Sequence, residues 1–188
     1  MEADRRRWNR KLAEAGSVGP PSSLVVRFCS LAPGPIALDL AAGRGNNARY
    51  LAEQGFSVLA IDLADKAVQS LKELQLPSLL PVQADLDDFK PRRRSVQLLI
   101  NCRFLDRRLL PFLSEALAPG GLLVFETQVE SDDPDVSLPR TAEYVLRRNE
   151  LLRSFLNLHV IHYEERIREE GDGSDRVSLA SLVARKHE

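Results

Sequence analysis

Between Leu38 and Ala48 the chain reads Leu-Asp-Leu-Ala-Ala-Gly-Arg-Gly-Asn-Asn-Ala, an apolar run broken by two closely spaced glycines and followed by helix-compatible residues. This is a junction between a buried strand and a helix. Glycines let the backbone turn tightly there and let a ligand approach the main chain. The helix that follows presents free N–H groups and the positive end of its dipole. Such a junction belongs to a parallel sheet, whose carboxyl edge is where small ligands bind.

The surrounding pattern agrees. Ile36 to Leu40 reads as the first strand, and the next helix carries Ala48, Leu51 and Ala52 and ends near Gly55. Strands then fall at Phe56 to Ile61, Leu79 to Ala84 and Val96 to Asn101, with a helix at Asp65 to Leu74. A helix over Arg108 to Ala118 holds Pro111 in its first turn, and Pro119-Gly120-Gly121 turns the chain into a strand at Leu122 to Glu126. Alternating strands and helices imply a parallel sheet covered on both faces. The end differs: Asn149 can cap a helix through Phe155, and Leu158 to Glu164 and Arg176 to Arg185 flank Gly171-Asp172-Gly173 as a hairpin. The expected fold is α/β: a Rossmann-like doubly wound, mostly parallel seven-stranded sheet ending in an antiparallel hairpin.

Ahead of the sheet, Ala3 to Ala15 favours a helix with Trp8 and Leu12 on one face. Gly19-Pro20-Pro21 interrupts it, and Ser22 or Ser23 caps a short helix carrying Leu24, Phe28 and Leu31. One domain over residues 1–188 is expected: an N-terminal helical lid region (1–33), a ligand-binding core (34–127) and a C-terminal helix and hairpin (141–188).

Composition narrows the function. The 26 basic residues nearly balance 27 acidic ones, so overall charge implies no polyanionic partner. No apolar run reaches the roughly 20 residues that span a bilayer, and no apolar signal core follows the basic N-terminus. Cys29 and Cys102 have no metal-ligand spacing and are expected as reduced thiols in a cytoplasmic protein. No metal is expected. His159 and His162, three apart on a strand, should face opposite sides.

Gly43-x-Gly45-x-x-Ala48 on its own also fits a dinucleotide fingerprint, so an NAD-dependent oxidoreductase is one alternative. Asp39 argues otherwise. A carboxylate at the strand end before the glycines would repel a pyrophosphate but suits an ammonium-bearing ligand, directly or through water. Asp62 ends the second strand and can accept hydrogen bonds from ribose hydroxyls; capping the next helix is its structural alternative. Asp85 ends the third strand, where it can face an adenine amino group with Leu86 against the ring. A solvated acidic turn with Asp87 and Asp88 is the other possibility.

In this order and spacing the motifs resemble the class I S-adenosylmethionine-dependent methyltransferase family over residues 36 to 126. Asp39 to Gly45 is similar to its first motif, with Ala41 where glycine is commonest. Leu117-Ala118-Pro119-Gly120-Gly121 is similar to the turn before its fifth strand. Within the family the chain looks most like small tellurite-resistance-type methyltransferases, although Asn46 replaces the arginine of their Gly-x-Gly-Arg-Asn. The resemblance implies S-adenosylmethionine as cofactor and S-adenosylhomocysteine as product. It implies cofactor contacts from Asp39, from the loop residues Ala41, Ala42, Gly43, Arg44 and Gly45, and from Asn47. Further contacts would come from Asp62 with Leu63, Asp85 with Leu86, and Asn101.

No catalytic base stands out. Asn101, Cys102 and Arg103 end the fourth strand, and Glu126 ends the fifth on the same edge. Arg103, Arg107 and Arg108 suit either an anionic substrate or a solvated face. Trp8 either closes the cofactor site or packs on the core. A small-molecule acceptor is expected, without a membrane. A protein partner, a non-catalytic or partner-dependent cofactor-binding module, and a nucleic-acid methyltransferase suggested by Arg5-Arg6-Arg7 and Arg92-Arg93-Arg94 remain alternatives.

Overall fold

The computed structural model describes residues 2–14, 18–139, 141–170 and 175–188. A seven-stranded sheet forms the middle layer. Its strands are β1 (Ile36–Leu40), β2 (Ser57–Asp62), β3 (Leu79–Gln83), β4 (Val96–Cys102), β5 (Leu117–Gln128), β6 (His159–Glu170) and β7 (Asp175–Arg185). They lie in the order β3-β2-β1-β4-β5-β7-β6. β1 to β5 are parallel, and β7 runs antiparallel to both β5 and β6. The doubly wound sheet and terminal hairpin expected from the alternation are both present. The turn residues Gly171-Asp172-Gly173 lie outside the described residues.

The helices are α1 (Glu2–Glu14), α2 (Ser23–Phe28), α3 (Asn46–Glu53), α4 (Asp65–Glu73), α5 (Leu110–Ala116) and α6 (Glu150–Ser154). Each face of the sheet carries its own apolar layer. One gathers Leu24, Val25 and Phe28 of α2 with Ala48 and Leu51 of α3, Leu71 of α4, and Leu98, Ile100 and Val124 of the sheet. The other joins Leu110 and Leu113 of α5 and Leu151 of α6 to Leu38, Leu40, Leu99 and Phe125. Phe125 and Phe155 are fully buried there, their ring centroids 5.9 Å apart.

Local chemistry explains several boundaries. The Ser22 hydroxyl accepts the Leu24 N–H at 3.2 Å, which makes Ser22 the cap of α2. The expected helix over Arg108 to Ala118 stops at Ala116, because a residue before proline is pushed out of the helical region and Ala118 precedes Pro119. Leu117 instead pairs with Val96, and a register slip before Leu98 brings β5 into line. β6 runs on through charged residues to Glu170 as an edge strand, a pattern with no apolar alternation to announce it. A bulge at Ile161 pairs His159 with Arg185 and His162 with Val183. Those partners are two apart, so the bulge turns both histidines to one face, against expectation.

The order of strands reverses between β1 and β4, and there the crevice opens beyond the carboxyl ends. Gly45 begins α3 at φ +86°, and a Cβ placed on it would lie 2.5 Å from Leu71 Cδ2. Leu71 is buried, so this methyl has little room to yield. Gly43, at φ +55°, has no atom within 4 Å of the Cβ position. Gly45→Ala is therefore expected to cost about 2 kcal/mol or more in stability. Gly43→Ala should cost only about 1 kcal/mol. Thermal denaturation of the two variants should rank Gly45→Ala clearly lower.

Candidate functional site

Two buried carboxylates stand at the crevice. Asp39, near the end of β1, is 2% exposed, and its Oδ2 has no hydrogen-bond partner. Burial first, and the neighbouring Asp62 second, push its carboxyl up to about 8, against the pull of the Ala48 N–H. Asp62 ends β2. Its Oδ2 accepts the Gly43 N–H at 2.9 Å and its Oδ1 accepts the Ala64 N–H at 2.8 Å. Burial also raises the Asp62 carboxyl, opposed by these backbone donors.

The glycine loop hangs between them. Ala41 at φ 52°, Gly43 and Gly45 all occupy the left-handed region, so the backbone reverses within five residues. The Ala42 N–H reaches Ile61 O at 2.9 Å and the Gly45 N–H reaches Ala42 O at 2.9 Å, which fixes the loop to β2 and to itself. Asp62 joins the loop to the start of the next helix, since Ala64 is the residue before α4.

The remaining expected residues fall around this centre. Asp85 is half-buried, and its Oδ1 accepts the Asp87 N–H at 3.0 Å. Leu86 is buried with Leu38, Leu40 and Ile61. Leu63 is half-buried, and its carbonyl accepts Gln83 Nε2 at 3.2 Å. Asn101 is 2% exposed and donates to Phe104 O at 2.7 Å, which closes the turn after β4. Cys102 follows it; burial, then the nearby Glu126 and Asp39 carboxyls, push its thiol up, so it is no thiolate at neutral pH.

The two asparagines of the loop hold a strap that sequence reading missed. Asn46 Oδ1 accepts the Gly19 N–H at 3.2 Å, and Asn47 Oδ1 accepts the Ser22 N–H at 2.8 Å. Gly19, Pro20, Pro21 and Ser22 are thereby fastened to the N-terminus of α3. α1 lies farther out. Asn9 donates to Asp65 Oδ2 at 2.8 Å and accepts the Lys66 N–H at 2.9 Å, while the Arg44 guanidinium donates to Leu12 O. At the other side Arg7 donates to the Tyr144 hydroxyl at 3.4 Å. α1 thus spans from α4 to the turn Ala142–Tyr144 and buries none of its residues. Trp8 is 41% exposed between the cations of Arg7 and Lys11, so it does not pack on the core.

Arg107 and Arg108, after β4, serve the structure. Arg107 donates to both carboxylate oxygens of Glu150 (2.6 and 3.0 Å) and to the carbonyls of Glu143 (2.7 Å) and Val145 (2.8 Å). Arg108 pairs with Asp106 at 2.8 Å and with Asp87. An open cavity of about 840 Å³ adjoins this Arg107–Glu150 pair, lined by three arginines and three glutamates together with Leu138, Pro139, Ala142, Val145 and Leu146. Among the described residues no three acids, cysteines or histidines gather as a metal site. No helix there is long and apolar enough to cross a membrane.

Replacing Asp62 with alanine strips both oxygens from the loop and leaves the Gly43 and Ala64 N–H groups without their partner. Asp62→Ala is expected to cost about 2–4 kcal/mol, more than Asp85→Ala, in denaturant unfolding.

Residues 37–121 match the family model described as a methyltransferase domain. Among solved structures the chain is similar to TehB from Haemophilus influenzae, with 21% identity, a TM-score of 0.74, and coverage of 86% of this chain and 61% of that one. It is similar as well to an S-adenosylmethionine-dependent methyltransferase from Mesorhizobium loti, at 20% identity and a TM-score of 0.69, covering 86% and 95% of the two chains. A curated relative, Hemagglutinin 1 of Eikenella corrodens, is 24% identical over 139 residues, 69% of this chain and 46% of its own. The chain thus spans under half the length of that relative. The fold is the one these S-adenosylmethionine-dependent methyltransferases share, a likeness that the order of motifs implied.

Proposed function

We propose that this chain, whose residues 37–121 carry a methyltransferase domain, binds S-adenosylmethionine at the carboxyl ends of β1, β2 and β3 and methylates a small-molecule acceptor. The observation that carries this reading is Asp39: a buried acid, pushed up to about 8, with one oxygen left without a partner. A ligand ammonium supplies the missing charge and donor, directly or through one water. A pyrophosphate supplies neither, which argues against the dinucleotide alternative.

The other residues fit the same ligand. The empty space over Gly43 lets a ligand lie against the backbone of residues 41–45, with Arg44 and Asn47 beside it. Asp62 keeps lone pairs for ribose hydroxyls after accepting two N–H groups. Leu63, Asp85 and Leu86 line the adenine end, and Asn101 stiffens the turn at the methyl end. Residues 1–33 act as a lid: α1 lies across the opening, and Trp8 has apolar surface to lay on a bound nucleoside. When bound, the sulfonium supplies an activated methyl group, which leaves the protein to position the acceptor and exclude water.

A small acceptor is favoured over nucleic acid because several arginines of the two runs are paired locally. Arg5 and Arg6 pair with Glu2, Arg7 with Asp4, and Arg93 with Glu115. The unpaired Cys29 and Cys102 support a reducing, cytoplasmic setting.

Titration calorimetry with S-adenosylmethionine, S-adenosylhomocysteine and NAD tests the reading. The two sulfur nucleosides should bind saturably and NAD should not; NAD alone binding would sink it. Asp39→Asn should weaken both nucleosides at least tenfold, and Gly43→Ala should weaken them without unfolding the protein.

A proton marks the same contact. Below pH 8 Asp39 is mostly protonated, whereas an ammonium ligand favours its ionised form. Binding at pH 6.5 should then release up to one proton, seen when enthalpies are compared across buffers, and Asp39→Asn should abolish the release. Without ligand the sign is also fixed. Between pH 4 and 8 the folded state binds more protons at Asp39 than the unfolded chain, so this residue lowers stability as pH rises through that window. Asp39→Asn should raise the melting temperature more at pH 8 than at pH 5.

A further inference from the structure

Glu126, at the carboxyl end of β5, is 3% exposed. It stands opposite Cys102 on β4 and Ser181 on β7. Its two oxygens have different surroundings. Oε2 accepts the Ser181 hydroxyl at 2.9 Å and the Arg168 guanidinium at 3.1 Å. Among the described residues Oε1 accepts only the Ser22 hydroxyl, at 3.4 Å. Ser22 also hydrogen-bonds the Cys102 thiol, and both Glu126 and Asp39 act on that thiol. Oε1 therefore looks into one corner shared by Asp39, Cys102 and the strap at Ser22, beyond the switch point of the sheet.

Two cations stand near that corner: Arg103, which also acts on the Cys102 thiol, and Arg168. Arg168 serves two carboxylates at once, since it also donates to Glu164 Oε1 at 2.9 Å. Glu164 in turn meets Arg166 at 3.2 Å and His162 at 3.6 Å, on the edge strand. Fixing a buried carboxylate by one oxygen while the other lacks a close donor is costly without a ligand.

We propose that Glu126 Oε1 is the group that receives the methyl acceptor, and that the acceptor is an amine that arrives as an ammonium ion. The ion pairs with Oε1 and yields one proton to it. The freed nitrogen lone pair then forms the new nitrogen–carbon bond as the carbon–sulfur bond breaks, its electron pair staying on sulfur; the product departs as a methylammonium, and Oε1 releases its proton to solvent. Arg168 and Ser181 hold the carboxylate in place through Oε2. This rests on the S-adenosylmethionine reading above.

The test uses the full chain saturated with S-adenosylhomocysteine, titrated at pH 8 with methylamine, ethylamine and benzylamine, and with benzyl alcohol as the uncharged comparison. At least one amine should bind saturably and benzyl alcohol should not. Glu126→Gln, which keeps size and the Ser181 contact, should weaken that amine at least tenfold while S-adenosylhomocysteine affinity stays within twofold. Glu126→Asp, which keeps the charge but withdraws Oε1 from the corner, should also weaken it. In the cofactor-free Glu126→Gln protein, Cys102 should be alkylated faster by iodoacetamide at pH 9, because a neighbouring negative charge is gone. No amine binding, equal binding by Glu126→Gln, or equal binding of benzyl alcohol would overturn the inference while leaving the cofactor reading intact. Failure of the wild-type chain to bind S-adenosylhomocysteine would remove the reading beneath it, and this inference with it.

Discussion

The site depends on one carboxylate that holds a loop in place. Asp62 accepts the Gly43 N–H on one oxygen and the Ala64 N–H on the other, so the ends of two parallel strands and the start of two helices share a single anchor. A loop with three residues in the left-handed region would otherwise sample many shapes. Pinned from β2, it leaves open space over Gly43 and seats Gly45 against Leu71 of α4. Open space and helix packing are thus divided between two glycines one residue apart, Gly43 and Gly45.

That anchor has an electrostatic consequence. Asp39 and Asp62 are buried near each other at the strand ends; lost hydration raises both carboxyls, and the charge of Asp62 raises Asp39 further. A protein tolerates such a pair where a ligand later supplies the compensating charge, which is why strongly shifted acids mark functional positions. Farther along the sheet edge Glu126 is also buried. There Arg168 reaches across from the terminal hairpin and pairs with both Glu126 and Glu164. The antiparallel hairpin thus closes the sheet and also contributes a cation to the edge where the parallel strands end.

The N-terminal segment is held differently from the rest. Its strap is fastened by Asn46 and Asn47, and α1 is fastened by Asn9, Arg44 and Arg7, all through polar contacts with no buried apolar face. Elements held this way open at low free-energy cost compared with the core. Asn46 explains a departure visible in the sequence. Its short amide meets the Gly19 backbone closely, and a Cβ on Gly19 would lie 3.2 Å from Asn46 Nδ2.

Much of this was legible in the sequence by itself. Strand–helix alternation, the glycine junction and the acids at three successive strand ends are local patterns, and local patterns determine the parallel sheet and the position of its crevice. Asp39, Asp62 and Asn101 were legible because a polar residue at the end of an apolar run has few structural reasons to be there. Tertiary structure alone decided the rest. The bulge at Ile161, which turns His159 and His162 to one face, arises from pairing with β7 and leaves no periodic trace. Trp8 stays exposed because α1 is tied down by polar contacts rather than by its apolar face. Glu126 and Arg168 meet only because β7 inserts between β5 and β6, a neighbour relation set by hydrogen bonding between strands distant in sequence.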